Sequence, residues 1–162
     1  IIRNAEPFFK VEDTLFETQF GSQINDLDGR MFFVDYIGDA DRPFTIGTAT
    51  AWWKAPWISG SAADQSPIDR GEWGQVHWVA IDPAHQRKGL TKPLMNHVMQ
   101  RIAKSHRRAM LGTSPARIWA VKVYLDFDFV PDPIELTNCE VKTGWQQLQK
   151  ILQHPALKSI EE

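Results

Sequence analysis

The segment Asp82–Leu94 places one glycine and three lysine or arginine residues between an apolar run and a run with helical periodicity. The first backbone N–H groups of a helix have no intrahelical partners, and the helix dipole adds partial positive charge there. Such a position binds anions, and a phosphate or diphosphate suits it best. Gly89 lets the backbone approach the anion closely, and Arg87, Lys88 and Lys92 supply charge. The segment therefore predicts a phosphate-binding loop, although an ordinary strand-turn-helix connection with solvated basic residues also fits it.

Two candidate general bases precede this loop. His77 lies in the apolar run before it, and strand alternation places His77 on the same face as Val79 and Ile81. An imidazole of near-neutral pKa accepts a proton directly or through water, as a general base must. Glu72, at the end of a long loop, is the second candidate. The structural alternatives are a buried, hydrogen-bonded histidine and an exposed loop carboxylate.

Other phosphate and metal motifs find no match in the sequence. The loop is neither a G-x-G-x-x-G nor a G-K-[ST] loop, so dinucleotide and nucleoside-triphosphate sites have no support. His85, His97 and His106 have no second ligand at metal-binding spacing. We therefore predict no metal.

Apolar runs and turn residues predict the elements that would position these groups. Gln75–Ile81 is a nearly continuous apolar run, as in a central strand covered on both faces. Two runs rich in β-branched and aromatic residues, joined by turn chemistry, predict an antiparallel hairpin. The periodic segments before the hairpin and after the loop predict helices. The predicted hairpin strands are Arg30–Ile37 and Phe44–Trp53, and the helices are residues 11–20 and Thr91–His106.

The remaining chain alternates between short apolar runs and helical patterns. Lys54–Gly74 has little periodicity, and a connection of this length is usually functional or mobile. Ala109–Thr113 and Phe127–Val130 are candidate short strands, while Ile118–Leu125 and Thr143–Gln153 have helical spacing. The order of elements predicts an α/β fold with a largely antiparallel sheet.

Length and composition predict one globular domain over residues 1–162. The formal net charge of −2 gives no general attraction to nucleic acid or acidic membranes, and no apolar run is long enough to span a bilayer. Cys139 is the only cysteine and cannot form an internal disulfide, which favours a reducing, cytoplasmic compartment. Ile1 stands where an initiator Met is expected, which indicates a trimmed or processed N-terminus.

The segment Val79–Thr91 resembles the acetyl-CoA signature of the GNAT N-acetyltransferase superfamily, Q/R-x-x-G-x-G/A after a strand and a short turn. Gln86 and Gly89 match the first two signature positions, and Thr91 stands where Gly or Ala is usual. The resemblance extends over about residues 30–131.

A downstream segment resembles the N-x-x-A-x-x-x-Y…G-F segment of the same family. Ala120, Tyr124 and Phe129 match it, whereas Arg117 stands where Asn is common and Asp128 where Gly is common. The resemblance implies that Tyr124 sits beside the cofactor sulfur and donates a proton to the leaving thiolate. A core tyrosine with a satisfied hydroxyl is the structural alternative.

The resemblance implies a mixed, largely antiparallel GNAT-like sheet with helices on both faces, whose N-terminal strand and helix are shortened or missing here. It implies transfer of an acetyl group from acetyl-CoA to a primary amine in a ternary complex. His77 is positioned like a catalytic histidine of arylalkylamine N-acetyltransferases. The implied cofactor-binding residues are Val79, Ile81, Gln86, Arg87, Lys88, Gly89, Leu90, Thr91, Arg117 and Ala120.

Several alternatives stay open at this point. The departures at Thr91, Arg117 and Asp128 motivate a non-catalytic acyl-CoA-binding or sensor domain, and the apolar helix near the C-terminus could pack internally in a monomer or form a homodimer. The acidic balance favours a small-molecule acceptor. An aromatic acceptor pocket formed by three tryptophans near the long loop competes with ordinary core packing; these are Trp52, Trp53 and Trp57.

Overall fold

Four apolar segments of the sequence form one sheet. The computed structural model describes residues 1–8, 10–38, 42–53 and 73–160. Within these residues the strands are β1 (Met31–Tyr36), β2 (Phe44–Trp52), β3 (Trp73–Ile81) and β4 (Arg108–Met110), in the spatial order β1-β2-β3-β4. The first three strands pair antiparallel, and β4 pairs parallel to β3. The prediction of a mixed, largely antiparallel sheet is confirmed.

Helices cover both faces of this sheet. Among the described residues before Gly112 the helices are α1 (Ile2–Ala5), α2 (Leu15–Phe20) and α3 (Thr91–Ala103), with 3₁₀ helices at Gly21–Leu27 and Pro83–His85. The fully buried Phe20 of α2 packs edge-on against Trp52, with ring centroids 4.9 Å apart. On the opposite face, His97 of α3 stacks on Phe32, which pairs with Ala49. Ala49 and Trp52 are three residues apart on a regular strand, so their side chains point to opposite faces.

The amphipathic pattern of α3 fixes its position on the sheet. Leu94, Met95, Val98 and Ile102 recur at helical spacing and are all buried. The helix ends at Ala103, earlier than the predicted His106, and its N-terminus follows directly from the turn after β3. The sheet and α3 therefore support the two ends of the predicted phosphate loop.

A β-bulge interrupts β3 at Trp78. Thr48 pairs with Ala80 and Thr50 pairs with His77, so β3 holds one more residue than β2 between these pairs. Trp78 has a φ of 52°, in the left-handed region. The bulge changes the alternation, so that His77 and Ile81, which pairs with Gly47, lie on opposite faces. The prediction that they share a face is wrong for this reason.

Residues 112–162 form a second compact unit, apart from the first unit at residues 1–111. Its helices are α4 (Ile118–Leu125) and α5 (Cys139–Leu152), with 3₁₀ helices at Glu135–Thr137 and Pro155–Ile160. Its core is a cluster of five buried side chains: Val121, Leu125, Leu148, Leu157 and Ile160. The family resemblance spans both units, and one domain over residues 1–162 stays a prediction.

Three predicted elements of the C-terminal half differ from the structure. The strand predicted at Ala109–Thr113 is found at Arg108–Met110. Helix α5 begins before Thr143 because the Oδ1 of Asn138 accepts hydrogen bonds from the first backbone N–H groups of the helix. The strand predicted at Phe127–Val130 is wrong, since this segment forms the turn that closes α4.

The turn after α4 is held by one carbonyl. The backbone N–H groups of Phe127 and Phe129 both donate to the carbonyl of Tyr124, at 3.0 and 3.1 Å, and Asp128 has a φ of 63°. Backbone N–H groups that are bonded to a helix end cannot also pair with a neighbouring strand.

The helices of the described residues include none with the length and apolar character that a membrane span requires.

Candidate active site

Asp82 anchors the predicted phosphate loop where β3 ends. Its N–H donates to the carbonyl of Ile46 at 2.7 Å, and its Oδ1 accepts the N–H of Ala84 at 3.0 Å. The hydrogen bond from Ala84 is the main cause that holds the pKa of Asp82 below its usual value. The Asp-Pro pair thus turns the chain out of the sheet into the 3₁₀ helix at Pro83–His85.

Gln86 closes the base of the loop. Its Nε2 donates to the carbonyl of Ile81 at 3.0 Å, joining the loop to the last residue of β3. Gln86 therefore has a part in shaping the loop, through the side-chain amide that the sequence assigned to the cofactor site.

The backbone N–H groups at the start of α3 are open to a ligand. Those of Gly89, Leu90 and Thr91 donate to no carbonyl in the described part of the chain, and no side chain caps the helix. Arg87 and Gly89 adopt left-handed φ values of 61° and 76°. A Cβ at Gly89 would meet no atom within 4 Å. This combination of amide groups and helix N-terminus forms an anion-binding surface.

The outer edge of β3 lies beside this loop. Parallel pairing with β4 covers only Trp73–Gln75, and no described strand pairs with the later residues on that side. Because the N–H of Asp82 faces β2, alternation turns the backbone groups of Val79 and Ile81 to the outer edge. The carbonyl of Ile81 accepts from Gln86 as described above. The edge therefore carries backbone groups that no described strand pairs with, next to the start of the loop.

His77 lies on the α2 face with both ring nitrogens hydrogen-bonded. Its Nε2 is 3.0 Å from the Oε1 of Gln19, and its Nδ1 is 3.3 Å from the Nε2 of Gln75. These partners fit the tautomer in which Nε2 carries the proton and donates, while Nδ1 accepts. Burial lowers the pKa of His77 to about 4, which keeps the imidazole neutral at pH 7.

Tyr124 is held on α4 in the second unit. Burial raises the pKa of Tyr124 to about 12, against an opposing effect of the Arg117 guanidinium. The phenol therefore keeps its proton at neutral pH and can act as a donor. Ala120, one turn earlier, lies on the same face of α4, and the ring of Phe129 packs edge-on at 6.3 Å from that of Tyr124.

The structure groups the predicted residues into two sets. Val79, Ile81 and the loop 86–91 come together in the first unit, and Arg117, Ala120 and Tyr124 in the second. Glu72, the second candidate base, lies outside the described residues. The described chain contains no group of three His, Cys, Asp or Glu side chains that could hold a metal ion.

Two of the three tryptophans near the long loop lie in the core of the first unit. Trp52 and Trp53 are 2 % and 8 % exposed and belong to the core cluster around Phe20, which favours the packing role. Trp57 lies outside the described residues. The pair Asp82-Pro83 is a turn signal that marks the end of the strand in the sequence, but the sequence did not predict the hydrogen bonds by which Asp82 anchors the loop.

The four-stranded, largely antiparallel sheet with helices on both faces is the arrangement of a GNAT-type acyltransferase, and the chain belongs to this family. The model of the Acetyltransferase (GNAT) family matches residues 2–129.

Several solved structures that are similar to this chain are named as acetyltransferases. A glucosamine-6-phosphate N-acetyltransferase from Arabidopsis thaliana has 10 % identity and a TM-score of 0.49, over 76 % of this chain and 78 % of that chain. An acetyltransferase from Trypanosoma brucei has 16 % identity and a TM-score of 0.45, over 68 % and 71 %. An aminoglycoside acetyltransferase from an uncultured soil metagenomic sample has 15 % identity and a TM-score of 0.42, over 75 % and 68 %. No curated protein sequence matches the chain.

The buried His77 predicts a pH-dependent stability. The unfolded chain binds a proton at His77 below pH 6.5, whereas the folded chain resists it down to about pH 4. Stability is therefore lost as the pH falls through this window, and we expect the free energy of unfolding to drop by about 2 kcal/mol from pH 7 to pH 5. Urea titrations at both pH values measure the drop. His77→Gln should remove most of it, and His97→Gln, at an exposed position on α3, should keep it. An unchanged drop in His77→Gln contradicts the assignment.

Proposed function

We propose that this protein is an N-acetyltransferase that transfers the acetyl group of acetyl-CoA directly to a primary amine, with both substrates bound at once. The observation that carries the proposal is the set of open amide groups at Gly89, Leu90 and Thr91 beside the free edge of β3. Acetyl-CoA has the matching chemistry, because a diphosphate joins its nucleotide to an extended arm that contains two amides.

The diphosphate is assigned to the loop and the pantetheine arm to the strand edge. The amides of Gly89–Thr91 would donate to the diphosphate, with the exposed Arg87, Lys88 and Lys92 adding charge. The backbone of Val79 and Ile81 would pair with the arm as an added strand pairs with a sheet edge. Arg117 and Ala120 of the second unit match the family segment and stay candidate cofactor-binding residues on that ground.

The reaction forms a C–N bond and breaks a C–S bond, and protons move at the nitrogen, at the sulfur and at Tyr124. The amine nitrogen attacks the thioester carbonyl carbon, a C–N bond forms, and the C–S bond breaks. The departing sulfur takes a proton from the Tyr124 hydroxyl, and the nitrogen gives up a proton to a base. Tyr124 then recovers its proton from solvent. Because burial raises the pKa of Tyr124 to about 12, the phenol carries a proton at neutral pH, and the same shift makes it a weaker acid.

We assign the first acceptor of the amine proton to water. The Nδ1 of His77 already accepts from Gln75, and a group with a pKa of about 4 holds an added proton weakly. His77 can take part only if the Gln75 amide turns aside. Glu72 stays a candidate for the same role.

A pair of glycine variants tests the diphosphate site. Gly89 and Gly29 both have positive φ, at 76° and 66°, and both have open space where a Cβ would go. Gly89→Val and Gly29→Val should therefore cost similar stability, but only Gly89→Val places a branched side chain where the diphosphate approaches. We expect its Kd for acetyl-CoA, measured by calorimetry, to rise at least ~10-fold. Equal Kd values for both variants would overturn the site.

A second pair of variants on α4 tests the proton donor. Tyr124→Phe keeps the ring and removes the hydroxyl, so kcat should fall about 100-fold or more while the Kd for acetyl-CoA holds. Trp119→Phe, at a side chain 74 % exposed on the same helix, should leave both values unchanged. An unaltered kcat in Tyr124→Phe refutes the donor role.

Release of free thiol from acetyl-CoA over a panel of small primary amines tests the activity itself. Turnover with an amine supports the proposal. Tight acetyl-CoA binding without turnover over the whole panel would favour the alternative, a non-catalytic acyl-CoA-binding or sensor domain.

A further inference from the structure

Three aromatic rings meet at the turn end of the β1–β2 hairpin, beside the phosphate loop. Tyr36 and Phe44 are register partners that close the hairpin, with ring centroids 5.5 Å apart. The ring of His85, from the 3₁₀ helix that starts the loop, lies 5.5 Å from Tyr36 and 5.9 Å from Phe44. We call these three residues the aromatic clip. The clip joins the loop to a strand pair that is distant in sequence.

The exposure of the clip residues is unequal. Tyr36 and Phe44 are 44 % and 47 % exposed, whereas the His85 side chain is only 18 % exposed. The two larger rings thus remain partly in water while they cover the histidine. Rings at these separations attract one another beyond the area they bury. The main effect of the contact is therefore to restrict the position of the His85 ring, because the two larger rings stay partly exposed.

The ring of His85 is held by packing against the two aromatic rings and forms no side-chain hydrogen bond among the described residues. Its Nδ1 is buried without a hydrogen-bond partner and lies 3.8 Å from the Oδ1 of Asp82, beyond hydrogen-bond distance. That oxygen already accepts the N–H of Ala84. A polar side chain of similar size would lose the ring contacts, and an apolar ring would keep them.

The clip holds the chain at His85, where the 3₁₀ helix ends and the loop toward α3 begins. His85 is bonded through its own N–H to the carbonyl of Asp82 at 2.8 Å, and the next residue, Gln86, is bonded to Ile81. Only two residues lie between Gln86 and Gly89, where the open amide groups begin. A rotation of the chain at His85 therefore shifts those amides.

We propose that His85 is a positioning residue for the phosphate loop, held by the rings of Tyr36 and Phe44. Its ring fixes the first half of the loop against the hairpin, so that the amides of Gly89–Thr91 are set in place before an anion arrives. The identity of that anion as acetyl-CoA rests on the function proposed above, but the positioning itself is a property of the ligand-free protein.

Two substitutions at one position separate the ring from the polar nitrogen. His85→Phe keeps a ring and removes the unpartnered nitrogen, whereas His85→Gln keeps a polar group and removes the ring. Amide hydrogen exchange of the ligand-free variants is measured at Asp82 and at residue 85, with Val98 of α3 as the internal reference. We expect His85→Gln to speed exchange at both loop amides about 3- to 10-fold relative to Val98, and His85→Phe to keep wild-type rates. Wild-type rates in His85→Gln would overturn the proposal.

Kinetics give the second readout. His85→Gln and Phe44→Ala should each raise the KM for acetyl-CoA by a similar factor of about 3 to 10 while kcat stays within about twofold, and His85→Phe should restore the KM. The double variant should be no worse than either single one, because both remove the same contact. Additive effects of the two substitutions, or an equal rise in KM for His85→Phe, would contradict a ring clip.

The hydrogen-exchange and kinetic measurements distinguish a failure of the clip proposal from a failure of the proposed function. If the wild-type chain binds no acetyl-CoA, the proposed function is wrong, and the exchange rates of the ligand-free variants still decide whether the clip positions the loop.

Discussion

The first N–H groups of a helix have no intrahelical acceptor, and at the turn from β3 into α3 those of Gly89, Leu90 and Thr91 also find no other acceptor among the described residues. The helix dipole adds to this unmet donor capacity at the same place. An anionic ligand would satisfy both, as we propose for the diphosphate of acetyl-CoA. The positive φ of Gly89 and the absence of a helix cap are the local features that maintain this arrangement.

The sheet provides the rigid support that these amides need. Asp82 and Gln86 tie the two sides of the turn to Ile46 and Ile81, so the loop is fixed to the end of β3 rather than left as a free connection. The same strand ends its pairing with β4 at Gln75, which leaves an edge leading to the loop. Strands β2 and β3 thus supply the loop anchors, at Ile46 and Ile81, and β3 also has the edge where we propose that an extended ligand binds. The bulge at Trp78 changes the alternation of β3, so that His77, with its hydrogen bonds to Gln19 and Gln75, faces α2.

Local patterns in the sequence were sufficient for the elements that support the site. The apolar run of β3, the periodic apolar residues of α3 and the glycine between them predict a strand, a loop and a helix N-terminus, and all three are present. Family resemblance added Tyr124, whose role no local pattern could indicate.

Features that depend on tertiary packing were not predictable. Trp78 has no glycine or proline beside it, and its left-handed backbone is held by rings of Phe16 and Phe20 at 5.9 and 5.0 Å. The bulge in turn moved His77 to the other face from Ile81. The segment after α4 has strand-like composition, but the carbonyl of Tyr124 captures its N–H groups and makes it a helix end. The clip formed by Tyr36, Phe44 and His85 joins residues that are distant in sequence, so no local pattern reveals it.

Calorimetric titration of the wild-type chain with acetyl-CoA and with S-acetylpantetheine tests the central claim most directly. The two ligands share the thioester and the arm, but only acetyl-CoA carries the diphosphate and nucleotide. If the open amides of the loop bind the diphosphate, acetyl-CoA should bind in the micromolar range and S-acetylpantetheine at least ~100-fold more weakly. Equal affinity for both ligands, or no binding of acetyl-CoA by a folded sample, would contradict the assignment of the loop.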